Sequence, residues 1–251
     1  MAKTEKLRPM ALDDMLFQQG FGTRRVCAGL VQQGLVQVEG ETVRDALHPV
    51  EPREGLRFTV QDQDWEYHAR AYLMLHKPAG TECSQKPSAW PSIYTLLPAA
   101  LRQRPQKSSV QGVQAIGRLD QDTTGLLILT DDGQLIHRMA SPRHQVPKLY
   151  QVQCKHPVEQ RQIERLLAGV VLDDDPKPVQ AAACVATGEH TLDLTLTQGK
   201  YHQVKRMLAA VGNRVEGLLR HSIGALQLPA DLLPGQWRWL TAEDLQALQQ
   251  K

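Results

Sequence analysis

The chain has 251 residues, of which 41% are hydrophobic and 22% are charged, and its formal net charge at pH 7 is +2. No apolar run approaches the roughly 20 residues that a membrane-spanning helix needs, so the composition excludes an integral helical membrane protein. The length favours one sizeable domain together with a smaller one.

The positive charge is concentrated in the larger, C-terminal part of the chain. Residues 1–67 contain eight Lys and Arg against eleven Asp and Glu, whereas residues 68–251 contain 21 against 16. The first eight residues are polar and basic and lack the apolar stretch of a secretory signal, so we expect a cytoplasmic protein. No cysteine lies in a C-x-x-C pair or at zinc spacing from a histidine, and we expect four reduced structural thiols: Cys27, Cys83, Cys154 and Cys184.

The first predicted elements are a short helix and a hairpin. Thr23 can cap a helix over residues 24–33, with Gly34 as its end and one apolar face formed by Val26, Cys27, Leu30 and Val31. Residues 35–38 and 41–43 then alternate apolar and polar side chains on either side of Glu39-Gly40, which predicts a two-residue turn.

A polar stretch at residues 61–64 indicates a linker, and we place the domain boundary near residue 67. The predicted domains are therefore residues 1–67 and residues 68–251. An apolar strand over residues 72–75 follows the boundary and stops at Lys77-Pro78.

Beyond this strand, residues 83–114 are rich in Pro, Ser, Gln and Arg and predict a long irregular excursion. Residues 126–129 predict a buried strand. Asp131-Asp132-Gly133 then starts a short helix that Pro142 must end.

Strands predominate in the rest of the chain, with helices between them. Residues 148–154 and 192–196 alternate as strands do, and Tyr150 falls on the apolar face of the first. Helices are predicted over residues 159–168 and 202–211, and Thr241 with Asp244 opens a last one. Because strands and helices do not alternate regularly, the pattern predicts an α+β fold rather than a doubly wound sheet.

Three stretches carry possible chemistry. The most informative is Gly117-Arg118-Leu119-Asp120-Gln121-Asp122-Thr123-Thr124-Gly125, which leads into the buried strand. A charge so close to a core needs a partner, so Arg118 and Asp120 form either a structural pair at the strand end or part of a functional site.

The other two stretches are basic. Residues 198–220 hold five Lys and Arg against the single acid Glu216, which is typical of a phosphate-binding face or of a solvated helix face. Residues 137–150 set basic side chains beside Tyr150, an arrangement that suits base stacking, although a lone tyrosine also packs in cores.

These three stretches, in this order, resemble the ribosomal small subunit pseudouridine synthase A family. The catalytic motif of that family is similar to residues 117–120 and 123–127, a second stretch to residues 130–150, and the closing motif to Tyr201-His202-Gln203-Val204-Lys205-Arg206-Met207. The resemblance implies a catalytic domain built on a mainly antiparallel mixed sheet with flanking helices.

The N-terminal unit resembles the small α/β RNA-binding domain named after ribosomal protein S-four. Leu12-Asp13, residues 22–25 and residues 34–40 follow its pattern, which implies that Arg24 and Arg25 bind RNA. Two features depart from the family: residues 1–67 carry a net charge of −3, and His76 stands where the family usually has asparagine.

The resemblance assigns roles to particular side chains. Asp120 is the implied catalytic carboxylate, either as nucleophile at ribose C1′ or as a base that removes a sugar proton. Lys205 is its implied basic partner, with Arg206 as the alternative, and Tyr150 is implied to stack on the uracil. The implied RNA-binding residues of this domain are Arg118, Arg143, Lys148, Tyr201, His202 and Arg206.

The implied reaction is an isomerisation that needs no cofactor and no metal. The implied partner is ribosomal RNA or a partly assembled ribosomal subunit, and we expect a monomer. Small-subunit RNA is the first expectation and large-subunit RNA the second. The competing hypotheses are a non-catalytic RNA-binding protein of ribosome assembly and a glycoside hydrolase that uses Asp120 with Asp122.

Overall fold

The computed structural model describes residues 8–106, 111–141, 144–173 and 175–250. Its helices are α1 (Leu12–Gln19), α2 (Arg24–Gln32), α3 (Ala99–Gln103), α4 (Gly133–Ala140), α5 (Gln160–Ala168), α6 (Gln203–Ala210) and α7 (Ala242–Gln249), with a 3-10 helix over Ile93–Leu96. Within these ranges no helix is both long and apolar enough to cross a membrane.

The strands of the first third are β1 (Met10–Ala11), β2 (Val36–Val38), β3 (Glu41–Thr42), β4 (Pro49–Val50), β5 (Arg57–Val60), β6 (Gln63–Glu66) and β7 (Tyr72–Lys77). Those of the remainder are β8 (Gln114–Ala115), β9 (Thr124–Thr130), β10 (Lys148–Cys154), β11 (Val170–Leu172), β12 (Asp175–Val179), β13 (Ala183–Gly188), β14 (Thr191–Leu196), β15 (Val215–Ile223), β16 (Leu226–Gln227) and β17 (Trp237–Trp239).

The first of two compact units comprises Met1–Tyr72, Leu97–Gln114 and Thr130–Asp132, within the described ranges. A four-stranded sheet in the order β3-β2-β5-β6 packs with α1 and α2 around one apolar core that includes Leu16, Val31 and Phe58. The predicted cap of α2 is confirmed, because the Val26 amide donates to Thr23 Oγ1 at 3.3 Å. Val26 itself was wrongly placed on the buried face, since it is half exposed.

Two irregular stretches predicted from composition are instead ordered. Residues 61–64, expected to be a linker, form the turn and the start of the second strand of the β5–β6 hairpin, with Gln61 at φ 51° and Asp62 at φ 62°. Polar residues in a tight turn look the same in sequence as polar residues in a linker. The boundary at residue 67 remains a prediction.

The expected excursion over residues 83–114 likewise contains the 3-10 helix and α3. The backbone of α3 lies against Gly20, where a Cβ atom would be 2.0 Å from the Ala100 carbonyl oxygen. Gly20 also has φ 90°, a conformation that suits glycine. A short helix of five residues docked on a glycine leaves little periodicity for sequence reasoning to detect.

A buried ion pair joins separate stretches of this first unit. Arg104 Nε lies 2.6 Å from Asp131 Oδ2, and the two residues are 3% and 5% exposed. Arg104 also donates to Gln19 Oε1 and to the His68 carbonyl, while Asp131 Oδ1 accepts the Ala71 amide at 2.8 Å. The charges are therefore satisfied by hydrogen bonds as well as by each other.

The second unit comprises Leu73–Leu96, Ala115–Leu129 and Gly133–Lys251, within the described ranges. Its sheet has the order β13-β14-β10-β15-β9-β7-β17, with β16 beside β15 and β8 beside β9. The β9–β15 pair is parallel, whereas β13–β14, β14–β10, β10–β15, β15–β16 and β7–β17 are antiparallel. The predicted α+β fold with a mainly antiparallel mixed sheet is confirmed.

One face of this sheet forms the core of the second unit. Alternate residues of β10 and β14 are buried together with side chains of α5 and α6, as the strand pattern predicts: Tyr150, Val152, Cys154, Leu192, Leu194, Leu196, Ile163, Leu166, Val204, Met207 and Leu208. The helix α6 packs on the buried face of the central strand β10. Side chains at the edge of the core between α6 and β10 therefore lie close together.

The parallel contact between β9 and β15 depends on Gly125. A Cβ atom at this position would lie 2.3 Å from the Arg220 carbonyl oxygen, and the residue has φ 108°. Any side chain would push β9 away from β15. Gly125 thereby sets the position of the loop that enters β9.

We predict that Arg104→Met lowers the free energy of unfolding by about 3–5 kcal/mol, because it leaves the buried Asp131 carboxylate without its cation. Urea denaturation of both proteins measures the difference. The control is Arg102→Met, two residues earlier and exposed on α3, which we expect to change stability by less than about 0.5 kcal/mol. Equal effects of the two substitutions would contradict the prediction.

Candidate active site

The loop between β8 and β9 carries Asp120 and is anchored along its length. The Gly80 amide donates to the Gln121 carbonyl at 2.8 Å, and the Thr123 amide donates to the Asp120 carbonyl at 3.1 Å. The Leu119 amide also points at Cys83 Sγ, 3.5 Å away. The carboxylate therefore stands on a loop whose backbone is bonded on both sides of it.

The strongest anchor of the loop is Lys77, at the end of β7. Its fully buried amino group donates to the carbonyls of Thr123 (2.9 Å), Pro78 (3.0 Å) and Gln121 (3.3 Å). Burial lowers the pKa of Lys77, an effect that the nearby acidic groups only partly offset. Lys77 holds the loop through backbone atoms and adds positive charge beneath it.

Asp120 faces two basic side chains from the start of α6. Lys205 Nζ lies 3.2 Å from Asp120 Oδ2, and His202 Nε2 lies 3.4 Å from Asp120 Oδ1. The Asp120 side chain is 27% exposed, so it is reachable from solvent while it is held. The Asp120 carboxylate is therefore in contact with a cation and at the same time accessible to a ligand.

Lys205 is shared between two carboxylates. Its Nζ is also 2.6 Å from Asp122 Oδ1. Burial raises the pKa of Asp122, but the hydrogen bond and charge of Lys205 outweigh this effect and the net pKa is lowered. Burial likewise lowers the pKa of Lys205, but Asp122 and Asp120 together raise it. The ion pair is lost only as pH falls through the lowered pKa of Asp122 or rises through the raised pKa of Lys205.

A stacked aromatic pair precedes α6. His202 adopts a left-handed backbone conformation (φ 47°, ψ 33°), and its ring stacks on the exposed ring of Tyr201 with centroids 3.8 Å apart. The turn thus places the His202 ring beside Asp120 and leaves the Tyr201 ring exposed to solvent.

A cleft joins the carboxylate to the sheet. Asp120 and Lys205 line it together with Tyr150, which is buried on β10, and apolar side chains from Leu196 and Leu218. The structure thereby brings together the three residues that were predicted to carry the chemistry.

Thr123 also lines this cleft and was missed by sequence reasoning. Its hydroxyl is buried and has no hydrogen-bond partner within the described part of the chain. The next residue, Thr124, instead donates its hydroxyl to the Leu218 carbonyl at 3.3 Å. An unsatisfied buried hydroxyl costs free energy, which suggests that a ligand supplies its partner.

The remaining predicted contacts of the second unit lie around the cleft or near it. Arg118 is exposed and lines the cleft. Arg206 donates to the Tyr201 carbonyl at 3.2 Å, and Lys148 donates to the Val146 carbonyl at 2.8 Å. Burial and, to a smaller extent, Arg220 lower the pKa of Lys148. Arg143 lies outside the described residues.

The two arginines predicted in the first unit both lie at the start of α2. Arg25 is exposed. Arg24 pairs with Asp14 at 3.3 Å and lies over the Phe17 ring, 4.5 Å from its centroid. Part of the charge of Arg24 is thus balanced within its own unit.

The two carboxylates of the catalytic loop are arranged unlike those of a glycoside hydrolase. Asp120 and Asp122 both lie within 3.2 Å of one Lys205 Nζ atom, so they face the same point in space. A hydrolase needs two carboxyl groups on opposite sides of a sugar. The geometry therefore disfavours the hydrolase hypothesis.

Comparisons with known proteins agree over nearly the whole chain. Residues 71–210 match the RNA pseudouridylate synthase family, and residues 10–55 match the S4 domain. A solved structure described as a pseudouridylate synthase superposes with a TM-score of 0.65 at 33% identity, covering 95% of this chain and 99% of its own.

Among curated proteins, the chain is 38% identical over 243 residues to the uncharacterized RNA pseudouridine synthase YtzG of Bacillus subtilis, covering 95% of this chain and 98% of that protein. It is also 38% identical over 237 residues to ribosomal small subunit pseudouridine synthase A of Escherichia coli strain K12, covering 94% and 98%. The protein of the same name from Pasteurella multocida is 35% identical over 236 residues, again with 94% and 98% covered.

We predict that Lys205→Met raises the pKa of the Asp122 carboxyl group to its ordinary value of 3.8 or above, because burial remains while the hydrogen bond and the cation are lost. Carboxyl carbon chemical shifts followed by NMR against pH measure it. Arg206→Met is the matched control and should leave the titration unchanged. A pKa that stays low in Lys205→Met would show that another group holds Asp122 ionised.

Proposed function

The chain belongs to the RNA pseudouridylate synthase family, whose members are isomerases, and we propose that it converts a uridine of small-subunit ribosomal RNA to pseudouridine with Asp120 as the catalytic carboxylate. The ion pair between Asp120 and Lys205 inside the cleft that Tyr150 lines carries this proposal. It unites the three residues whose chemistry the reaction requires.

The choice of RNA follows the named relatives. Proteins called ribosomal small subunit pseudouridine synthase A from Escherichia coli and Pasteurella multocida match the chain over 94% of its length. A match that spans both units, rather than the catalytic one alone, supports the same class of substrate. We propose that the chain acts as a monomer in the cytoplasm, on free RNA or on a partly assembled subunit.

The reaction rearranges bonds without net loss of atoms. The bond from uracil N1 to ribose C1′ breaks, the base turns, and a bond from C5 to C1′ forms; the C5 proton leaves and N1 gains one. A uridine in folded RNA must first leave its stack to reach a recessed site. Arg118, exposed at the cleft, would fill the vacated place.

Asp120 would act on the ribose, as nucleophile at C1′ or as base for a sugar proton, and it must be ionised in either role. The Lys205 ammonium group lies beside one of its oxygens, and His202 Nε2 lies beside the other. Lys205, rather than Arg206, is the cation within ion-pairing distance, which supports it as the basic partner.

Tyr150 would stack beneath the uracil and help to remove the C5 proton after the base has turned. Lys148 and Arg206 would bind RNA phosphates near the site, and we propose phosphate contacts also for Arg143, which lies outside the described residues, and for Arg24 and Arg25 of the N-terminal domain. Tyr201 and His202 would contact the RNA strand next to the flipped uridine.

We predict that Asp120→Asn lowers pseudouridine formation by about 1000-fold or more, because the amide can neither attack C1′ nor accept a proton. Carbodiimide-dependent reverse-transcription stops on small-subunit and large-subunit RNA measure the product. Asp193→Asn, a carboxylate on another strand, is the matched control and should keep wild-type activity. Modification of large-subunit RNA alone would overturn the proposed substrate, and an active Asp120→Asn would overturn the role of Asp120.

We also predict that Thr123→Val lowers kcat/KM by about 5- to 15-fold, the value of one hydrogen bond to the bound nucleoside, and does not lower the melting temperature. The same assay and a thermal melt measure the two quantities. Thr124→Val, which loses the bond to the Leu218 carbonyl, should show the reverse pattern of lower stability with less change in kcat/KM. Loss of stability without loss of turnover in Thr123→Val would assign its hydroxyl to the fold.

A further inference from the structure

The segment over residues 82–92, between β7 and the 3-10 helix, is closed on itself around Glu82. The Glu82 amide donates to the Pro91 carbonyl, and the Ile93 amide donates to the Glu82 carbonyl. The Glu82 carboxylate accepts the amides of Ser88, Ala89 and Trp90 at 2.9–3.1 Å, and these bonds lower its pKa to about 2. The segment therefore holds one shape without belonging to a helix or a strand.

This closed segment displays a tryptophan beside the catalytic loop. Trp90 is 47% exposed, and two of its ring carbons would lie 3.8 and 3.9 Å from a Cβ atom on Gly80. The Gly80 amide in turn donates to the Gln121 carbonyl, next to Asp120. The indole thus lies near Gly80, whose backbone is bonded directly to the active-site loop, and about half of the Trp90 surface is exposed to solvent.

The same segment forms one wall of a cleft that begins at Asp120. Glu82, Cys83 and Ser84 line this cleft together with Arg118, Lys200, Tyr201 and His202, and Trp90 lies further along the same segment, outside the lining. A cleft with cations and an aromatic ring on its walls suits a single nucleic-acid strand, because cations bind phosphates and rings stack on bases. An RNA strand that leaves the site along this cleft passes the segment that presents Trp90.

The hydrogen bonds of the segment indicate that the exposed indole of Trp90 has a binding role. A large aromatic side chain that is half exposed to solvent is common on binding surfaces, where it stacks on a partner. Here three backbone amides donate to one carboxylate, so the backbone that carries the ring is fixed before any ligand binds. A platform that is already rigid loses little conformational entropy on binding.

We propose that Trp90 is a stacking platform for an unpaired nucleobase next to the target uridine, so that this segment takes part in selecting the modified position. The proposal rests on the proposed function, since its ligand is the RNA that the active site modifies. Base stacking on an aromatic side chain is sequence-tolerant, so the platform selects for an unpaired neighbour rather than for one base type.

The test compares Trp90→Leu with Trp90→Phe, each in the Asp120→Asn background so that no turnover occurs. The probe is a short synthetic RNA that spans the uridine modified by the wild type, and its dissociation constant is measured by fluorescence anisotropy. Trp90→Leu should bind about 10-fold more weakly, whereas Trp90→Phe, which keeps an aromatic face, should stay within about threefold of the parent. Leu233→Ala, another exposed apolar position, is the control and should bind as the parent does.

A second experiment removes a nucleobase from the RNA instead of the indole ring from the protein. Abasic sugars are placed one at a time on either side of the target uridine, and one of them should weaken binding by the same factor as Trp90→Leu. In Trp90→Leu that abasic RNA should cause no further loss, because both changes remove one contact. Independent, additive losses, or equal binding by Trp90→Leu and the parent, would overturn the platform. If the wild type modifies no ribosomal RNA, the proposed function fails, and the platform, which rests on it, is overturned with it.

Discussion

The ammonium group of Lys205 lies between two carboxylates that come from one loop, and the geometry of the active site depends on that contact. It joins the first turn of α6 to the segment between β8 and β9, which are far apart in sequence. Because Asp122 makes the shorter bond, it holds Lys205 in place while Asp120 stays available to a substrate. An ion pair that a second acid supports in this way is preorganised, so little has to move when a ligand enters.

Gly125 and Lys77 hold the loop that carries the two carboxylates in a fixed position. Gly125 lets β9 approach β15 more closely than any other residue allows, and Lys77 gathers the carbonyls of the loop that enters β9. The aromatic face of Tyr150 is fixed separately, by alternation along a central strand. The site is thus assembled from one loop, one strand and one helix end, each held by its own packing.

Much of this arrangement follows from the sequence, and the exceptions have physical reasons. Alternation along residues 148–154 predicts both β10 and the buried position of Tyr150, because a half-buried strand has a period of two. The hairpin turn at Gln61-Asp62 was misread because turn residues and linker residues share a composition. Thr123 could not be singled out, since only coordinates reveal that a hydroxyl lacks a partner. The pairing of Lys205 with both acids is likewise a long-range contact that no local pattern encodes.

Lys77 recognises the catalytic loop only through carbonyl oxygens, which every amino acid possesses. The anchor therefore does not depend on the side chain at Gln121, which is partly exposed and can vary without loss of the loop's shape. Lys77 has no such freedom, because a replacement must bring a donor of the same reach to a buried site. Side chains on the loop can therefore change, and substrate preference with them, while Lys77 and its contacts with the loop backbone stay constant.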